Sequence, residues 1–244
     1  SGRNSTALGR SSLASGRNST ALGRSSLASG RNSTALGIGS KAVGESATAI
    51  GWGAVANKNS ALALGSTAEA TGQSASAFGP VAKAQGTEAI ALGFKTNASG
   101  NFATALGAGA NATSNSSTAL GRGSKATATS AVALGHGSKA TAKASLSVGH
   151  GSEASAVNSS AFGRRAVAAH AGSTAIGFGA TTTKTNQIVL GKENTQIMAP
   201  SLKRISGPNN ALLYAGKNGI LKRSSLSASS LSEMASGIGS SEFQ

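Results

Sequence analysis

The sequence predicts an all-β solenoid built from coils of fourteen residues, and three observations carry that expectation. First, "SGRNSTALGRSSLA" occupies residues 1 to 14, recurs letter for letter at 15 to 28, and its first nine residues return at 29 to 37. Second, the glycine ending "TALG" has counterparts at Gly9, Gly23, Gly37, Gly51, Gly65, Gly79, Gly93, Gly107, Gly121, Gly135, Gly149, Gly163, Gly177 and Gly191, always 14 residues apart. Third, the residues ahead of that glycine alternate with a period of two, the signature of a strand, and the glycine supplies the backbone freedom of a tight turn. Fourteen residues are too few for a helix, a strand and two connections, but they suit two short strands and two turns. Stacked at about 4.8 Å per coil, the repeats make a rod of roughly 60 Å.

Each strand position follows from its column. Leu, Ile, Val or Phe precedes the anchor glycine in every copy: Leu8, Leu22, Leu36, Ile50, Leu64, Phe78, Leu92, Leu106, Leu120, Leu134, Val148, Phe162, Ile176 and Leu190. One place further back stands Ala in all copies but two, Ser147 and Val189. Five residues after the glycine stands Ala in twelve of the first thirteen copies, with Thr182 the other. Neighbours on a strand point to opposite faces, so Ala103 and Ala105 share one face and Thr104 and Leu106 the other. In the second strand Ala110 and Ala112 are the small pair and Asn111 lies opposite. Small then faces small across the roll, and its interior is a ladder of Ala, Ser and Thr. The Leu column is therefore outside, as an apolar stripe that another chain is expected to cover. No charged residue enters the four columns before the anchor glycine.

Composition agrees with a thin or shared core: the 244 residues include 34 glycines, one Trp, one Tyr and no cysteine, and only 12% are charged. Thiolate chemistry and cysteine metal sites are excluded, and no apolar run is long enough to span a bilayer as a helix. The chain has no aspartate, and its seven acids are all glutamates scattered along it, so triads, EF-hand loops and paired-carboxylate hydrolysis are excluded or poorly served. No catalytic residue, cofactor or metal is expected. His136 and His150 each follow an anchor glycine one coil apart, but they share a turn column with Arg10, Arg24, Arg122 and Arg164, and the column reads as a half-exposed turn rather than a metal site. The "GRG" and "GHG" pieces lack the following helix that a phosphate loop needs.

At this spacing "NSTALG", "SATAIG", "SSAFG" and "NQIVLG" resemble the head repeats of trimeric autotransporter adhesins, the YadA-like heads of Gram-negative bacteria. The resemblance covers residues 1 to 191 and implies a left-handed parallel β-roll, with three rolls associated through the apolar column named above. It also implies a surface location with an outer-membrane anchor beyond this chain, and adhesion to extracellular matrix such as collagen or fibronectin, or between cells. Residues 192–223, from the end of "NQIVLGKENTQIMAPSL" through "SGPNNALLYAGKNGILKR", are similar to segments that close such heads. There "ALLYA" and "ILKR" are expected to form a hairpin about Asn218-Gly219. Residues 224–244 are expected to begin a stalk or a next segment, with Ser230 and Glu233 as a capping box. Lacking heptads and membrane strands, the chain is expected to be a fragment of a longer fibre.

A formal charge of +15 points to anionic partners. Arg122, Lys125, His136, Lys139, Lys143, Arg164 and Arg165 fall within adjacent coils and are the expected ligand-binding residues, with an anionic glycan or matrix protein as partner and no specific nucleic acid. Trp52 and Phe94, in the same turn column, are expected to pack against a neighbouring chain. The competing functions are an inert spacer and a phage or injection-system tail fibre on the same roll. An ice-binding rank is excluded because the column of Thr6, Thr20 and Thr34 later holds Leu62, Ile90, Val132 and Leu146.

Overall fold

A computed structural model describes residues 2–196 and the strands Ala211–Ala215 and Leu221–Ser227. The first compact unit, Ser1–Thr195, is a parallel β-solenoid with no helix among the described residues. Each coil supplies a three-residue strand such as Thr104–Leu106, a turn, a two-residue strand such as Asn111–Ala112, and a second turn. The longer strands stack into a 14-stranded sheet and the shorter into a 12-stranded sheet, both wholly parallel. Every residue pairs with the one fourteen further on: Thr104, Ala105 and Leu106 lie against Thr118, Ala119 and Leu120. The hydrogen bonds therefore run from coil to coil, as when Gly107 N donates to Leu92 O and Asn111 N donates to Ser124 O, both at 2.9 Å.

The interior is the small-residue ladder that the columns predict. Ala103, Ala105, Ala110 and Ala112 are fully buried, and the largest fully buried side chains are only Thr96 and Thr182. Serine is tolerated here because its hydroxyl closes the adjoining turn: Ser19 Oγ donates to Gly16 O at 2.6 Å, and Ser124 Oγ to Gly121 O at 2.8 Å. Where Ser147 replaces alanine, the facing residue answers it, with Ser152 Oγ 2.7 Å away. That pair separates two alanine stacks, one ending at Ala140 and the other resuming at Ala154. Thr182 is answered the same way, accepting from Ser173 Oγ at 3.0 Å and from Ala169 N at 3.2 Å.

Besides the anchor glycine, two positions per coil have positive φ, five residues before that glycine and two after it, as at Asn18 and Ser25 with φ of 55° and 57°. Asn, Ser and Gly dominate these columns because glycine has no Cβ to crowd the backbone and a short polar side chain can hydrogen-bond locally. Phe102, at φ 58°, is a costly occupant, and its ring is 57% exposed. Phe102→Asn, which restores the residue found at Asn4, Asn18 and Asn32, is expected to raise stability by about 1 kcal/mol. Thermal denaturation reads this directly, and a lowered melting temperature would show instead that the ring is held by a contact.

The anchor glycine answers to two constraints at once. At Gly121, φ is 130°, and a Cβ would stand 2.6 Å from the carbonyl carbon and oxygen of Gly135 in the next coil. Gly123 is left-handed as well, with φ 65°, but a Cβ there meets nothing within 4 Å.

The regular pattern fades in the last coils. Val167 reaches Thr181 only through an isolated bridge. Gln187 stands where earlier coils bury Ala or Ser, and its Oε1 accepts from Thr183 N at 2.7 Å and Lys184 N at 3.1 Å. Val189, in the alanine column, packs against the end of the alanine stack.

The second unit, Gln196–Gln244, contains an antiparallel pair, with Leu213, Tyr214 and Ala215 opposite Arg223, Lys222 and Leu221. The register shifts between Ala211 and Leu213. The expected Asn218-Gly219 turn and the Ser230 and Glu233 capping box lie outside the described residues.

Candidate binding surfaces

The roll has two unlike outer faces. On the longer strands the apolar column runs from Leu8 to Leu190, beside the column of Thr104 and Leu62; Leu106 is 37% exposed in the single chain. The two alternate out because their neighbours Ala103 and Ala105 alternate in. The shorter strands turn Leu13, Leu27, Lys41, Val55, Glu69, Lys83, Asn97, Asn111, Lys125, Lys139, Glu153 and Val167 outward in order. Coil-to-coil pairing organises this face: Lys83 Nζ lies 3.2 Å from Glu69 Oε2, Lys139 Nζ lies 3.7 Å from Glu153 Oε2, and Asn97 Nδ2 donates to Asn111 Oδ1 at 3.0 Å. Ion pairs this exposed add little to stability, so their effect here is chiefly to neutralise the face locally.

The expected ligand-binding residues fall on three lines rather than in one patch. Arg122, His136 and Arg164 stand in the exposed turn column, one residue after successive anchor glycines, with His150 between the last two. The rings of His136 and His150 are 4.9 Å apart, centroid to centroid. Arg165 is next to Arg164, in the left-handed turn position with φ 57°. Lys125 and Lys139 are register partners on the shorter-strand face, where Lys139 shares itself with Glu153 and Lys125 does not. Lys143 lies in the other turn of its coil, at the opposite edge of the roll. Six of the seven therefore lie on one turn and its adjoining strand face, and Lys143 lies at the opposite edge.

Trp52 and Phe94 project from the same turn column as the basic line, and Trp52 is 61% exposed. Cations cover some of these rings: Lys95 Nζ lies 5.0 Å from the Phe94 ring, and Phe178 has Arg164 at 5.8 Å and Lys192 at 5.0 Å.

Sequence reasoning passed over a second group. Arg3, Arg17 and Arg31 form a line at one turn, and Arg10 and Arg24 a line at the other, all exposed. Among the described residues Arg31 is the one of these five with a carboxylate partner, Glu45. Counting charge coil by coil, rather than over the chain, is the signal that finds them.

Stacked coils with a small-residue interior, one apolar face and one largely polar face define a parallel β-solenoid. The chain belongs to the YadA head family: the YadA head domain repeat matches at residues 1–26 and 28–54, then in overlapping windows from 42–68 to 154–180. Among solved structures it is similar to the crystal structure of the collagen-binding domain of Yersinia adhesin YadA, with 23% identity, 85% of this chain and 84% of that chain covered, and a TM-score of 0.33. No match was found among curated proteins.

Proposed function

We propose that this chain is the head of a trimeric surface adhesin that holds anionic matrix glycans or glycan-bearing matrix through its basic turn line. Family membership supports an adhesin-like, non-enzymatic, surface-displayed protein with an extracellular-matrix partner. The observation that carries the finer reading is the exposed run Arg122, His136, His150, Arg164 along one edge, with Lys125 and Lys139 on the adjoining face and Glu153 the one carboxylate between residues 122 and 192. Trimer formation through the apolar column would repeat that edge around a common axis. Weak contacts to a repetitive ligand then add through multivalency.

The test is heparin binding by the assembled head across a salt series, with Lys125, Lys139 and Arg165 changed together to Gln. Binding is expected to fall steeply as salt is raised past the physiological range, where the Debye length is about 8 Å, and to weaken further in the triple variant. Binding indifferent to both changes would overturn electrostatic capture by the basic line and its adjoining face and direct attention to Trp52 and Phe94.

A further inference from the structure

The positive charge is not spread along the rod. Residues 1–41 carry six cations, Arg3, Arg10, Arg17, Arg24, Arg31 and Lys41, and no acid. Residues 42–121 carry three lysines and three glutamates, a net charge of zero. Residues 122–192 carry eight cations against the single Glu153. Structural register turns this into geometry. Lys41 and Lys125 occupy one column of the shorter-strand sheet, six coils apart, or about 29 Å. In the turn column every residue between Arg24 and Arg122 is uncharged: Ile38, Trp52, Ser66, Pro80, Phe94 and Ala108.

We infer that the solenoid carries a bipartite polyanion site, two basic bands separated by a neutral one, and that its ligand is a linear sulfated polysaccharide long enough to occupy both bands at once. This deepens the proposed glycan binding and rests on it. Guanidinium groups at both turns of the first two coils, free of carboxylate partners among the described residues, suit sulfate oxygens, which they engage in pairs. Of the exposed turn aromatics, Trp52, Phe94 and Phe102 lie in the neutral band, where the net charge is zero, and Phe178 lies in the second basic band beside Arg164 and Lys192. The unbroken cationic track with interleaved stacking rings that single-stranded nucleic acid uses is therefore missing. A chain held at one band is tethered beside the other, so the second contact is intramolecular, and its gain depends on the chain spanning the neutral coils.

Size-defined heparin fractions test this: one shorter than the neutral band, the other more than twice its length, titrated at fixed salt against the assembled head. A variant with Arg3, Arg10, Arg17 and Arg24 all changed to Gln serves as comparison, because these side chains are exposed and lie outside the core. The head should prefer the long fraction by about 100-fold. The variant should lose most of that preference while still binding the short fraction at the remaining band. The comparison also removes the trivial advantage that a longer chain offers more registers. A variant that keeps the preference would show that long chains wrap a single band, and equal affinities for both fractions would show that the bands act separately; either result overturns the bipartite site alone. Failure of every fraction to bind would overturn it together with the glycan reading.

Discussion

Leu106→Asp is expected to abolish assembly of the head. The side chain at 106 points away from the roll, between Leu92 and Leu120 in the adjacent coils, on a face without any charge. In a trimer three introduced carboxylates would be buried near one level without partners. Each unpaired buried charge costs several kcal/mol, and removing the leucine forfeits its own burial of about 2 kcal/mol. The interior cannot make up the loss, because it holds nothing larger than threonine. Light scattering should therefore report a trimer for the parent chain and monomer or unfolded material for the variant. Leu106→Ala, which introduces no charge, should weaken assembly far less. A parent chain that is folded and monomeric in dilute buffer would refute the trimer and leave the apolar column without an occupant.

The second large effect concerns two glycines two residues apart. Gly121→Ala is expected to destabilise the head by several kcal/mol, because the new methyl group would press on the backbone of Gly135, and no side chain can swing aside to admit it. Gly123→Ala meets open space and bears only the left-handed backbone penalty, about 1 to 2 kcal/mol. Melting temperatures of the two variants should differ widely. Equal losses would mean that the anchor glycine is required for its dihedral angle alone and not for the close stacking of coils.

Most of the solenoid was legible because a parallel stack repeats its environment. When Ala105 sits between Ala91 and Ala119, the column states its own burial twelve times over, and a two-residue alternation is enough to separate inside from outside. Two kinds of feature escaped that logic. The left-handed turn positions were hidden at Phe102 and Val81, residues that disfavour such dihedrals; there the neighbouring coils impose a conformation that local preference opposes. The basic residues were grouped by proximity in sequence, but fourteen residues make a full circuit, so Lys143 lies at the far edge from Arg122 although both belong to neighbouring coils. Beyond Leu190 the repeat gives out, and with it the column that allowed one coil to vouch for the next.

The direction of the hydrogen bonds has a mechanical consequence. In both sheets they lie along the axis, each linking a residue to one thirteen or fifteen positions away in the adjacent coil, as Asn111 N does to Ser124 O and Gly107 N to Leu92 O. A tensile load along the axis therefore meets them end-on and opens the stack a coil at a time, as a zip parts, instead of shearing many bonds together. Each coil that opens exchanges about 4.8 Å of stacked height for fourteen residues of chain, up to roughly 48 Å when drawn straight. A head anchored at one end and held by a ligand at the other would lengthen about tenfold, coil by coil, dissipating a sudden pull in small steps before the grip itself is tested.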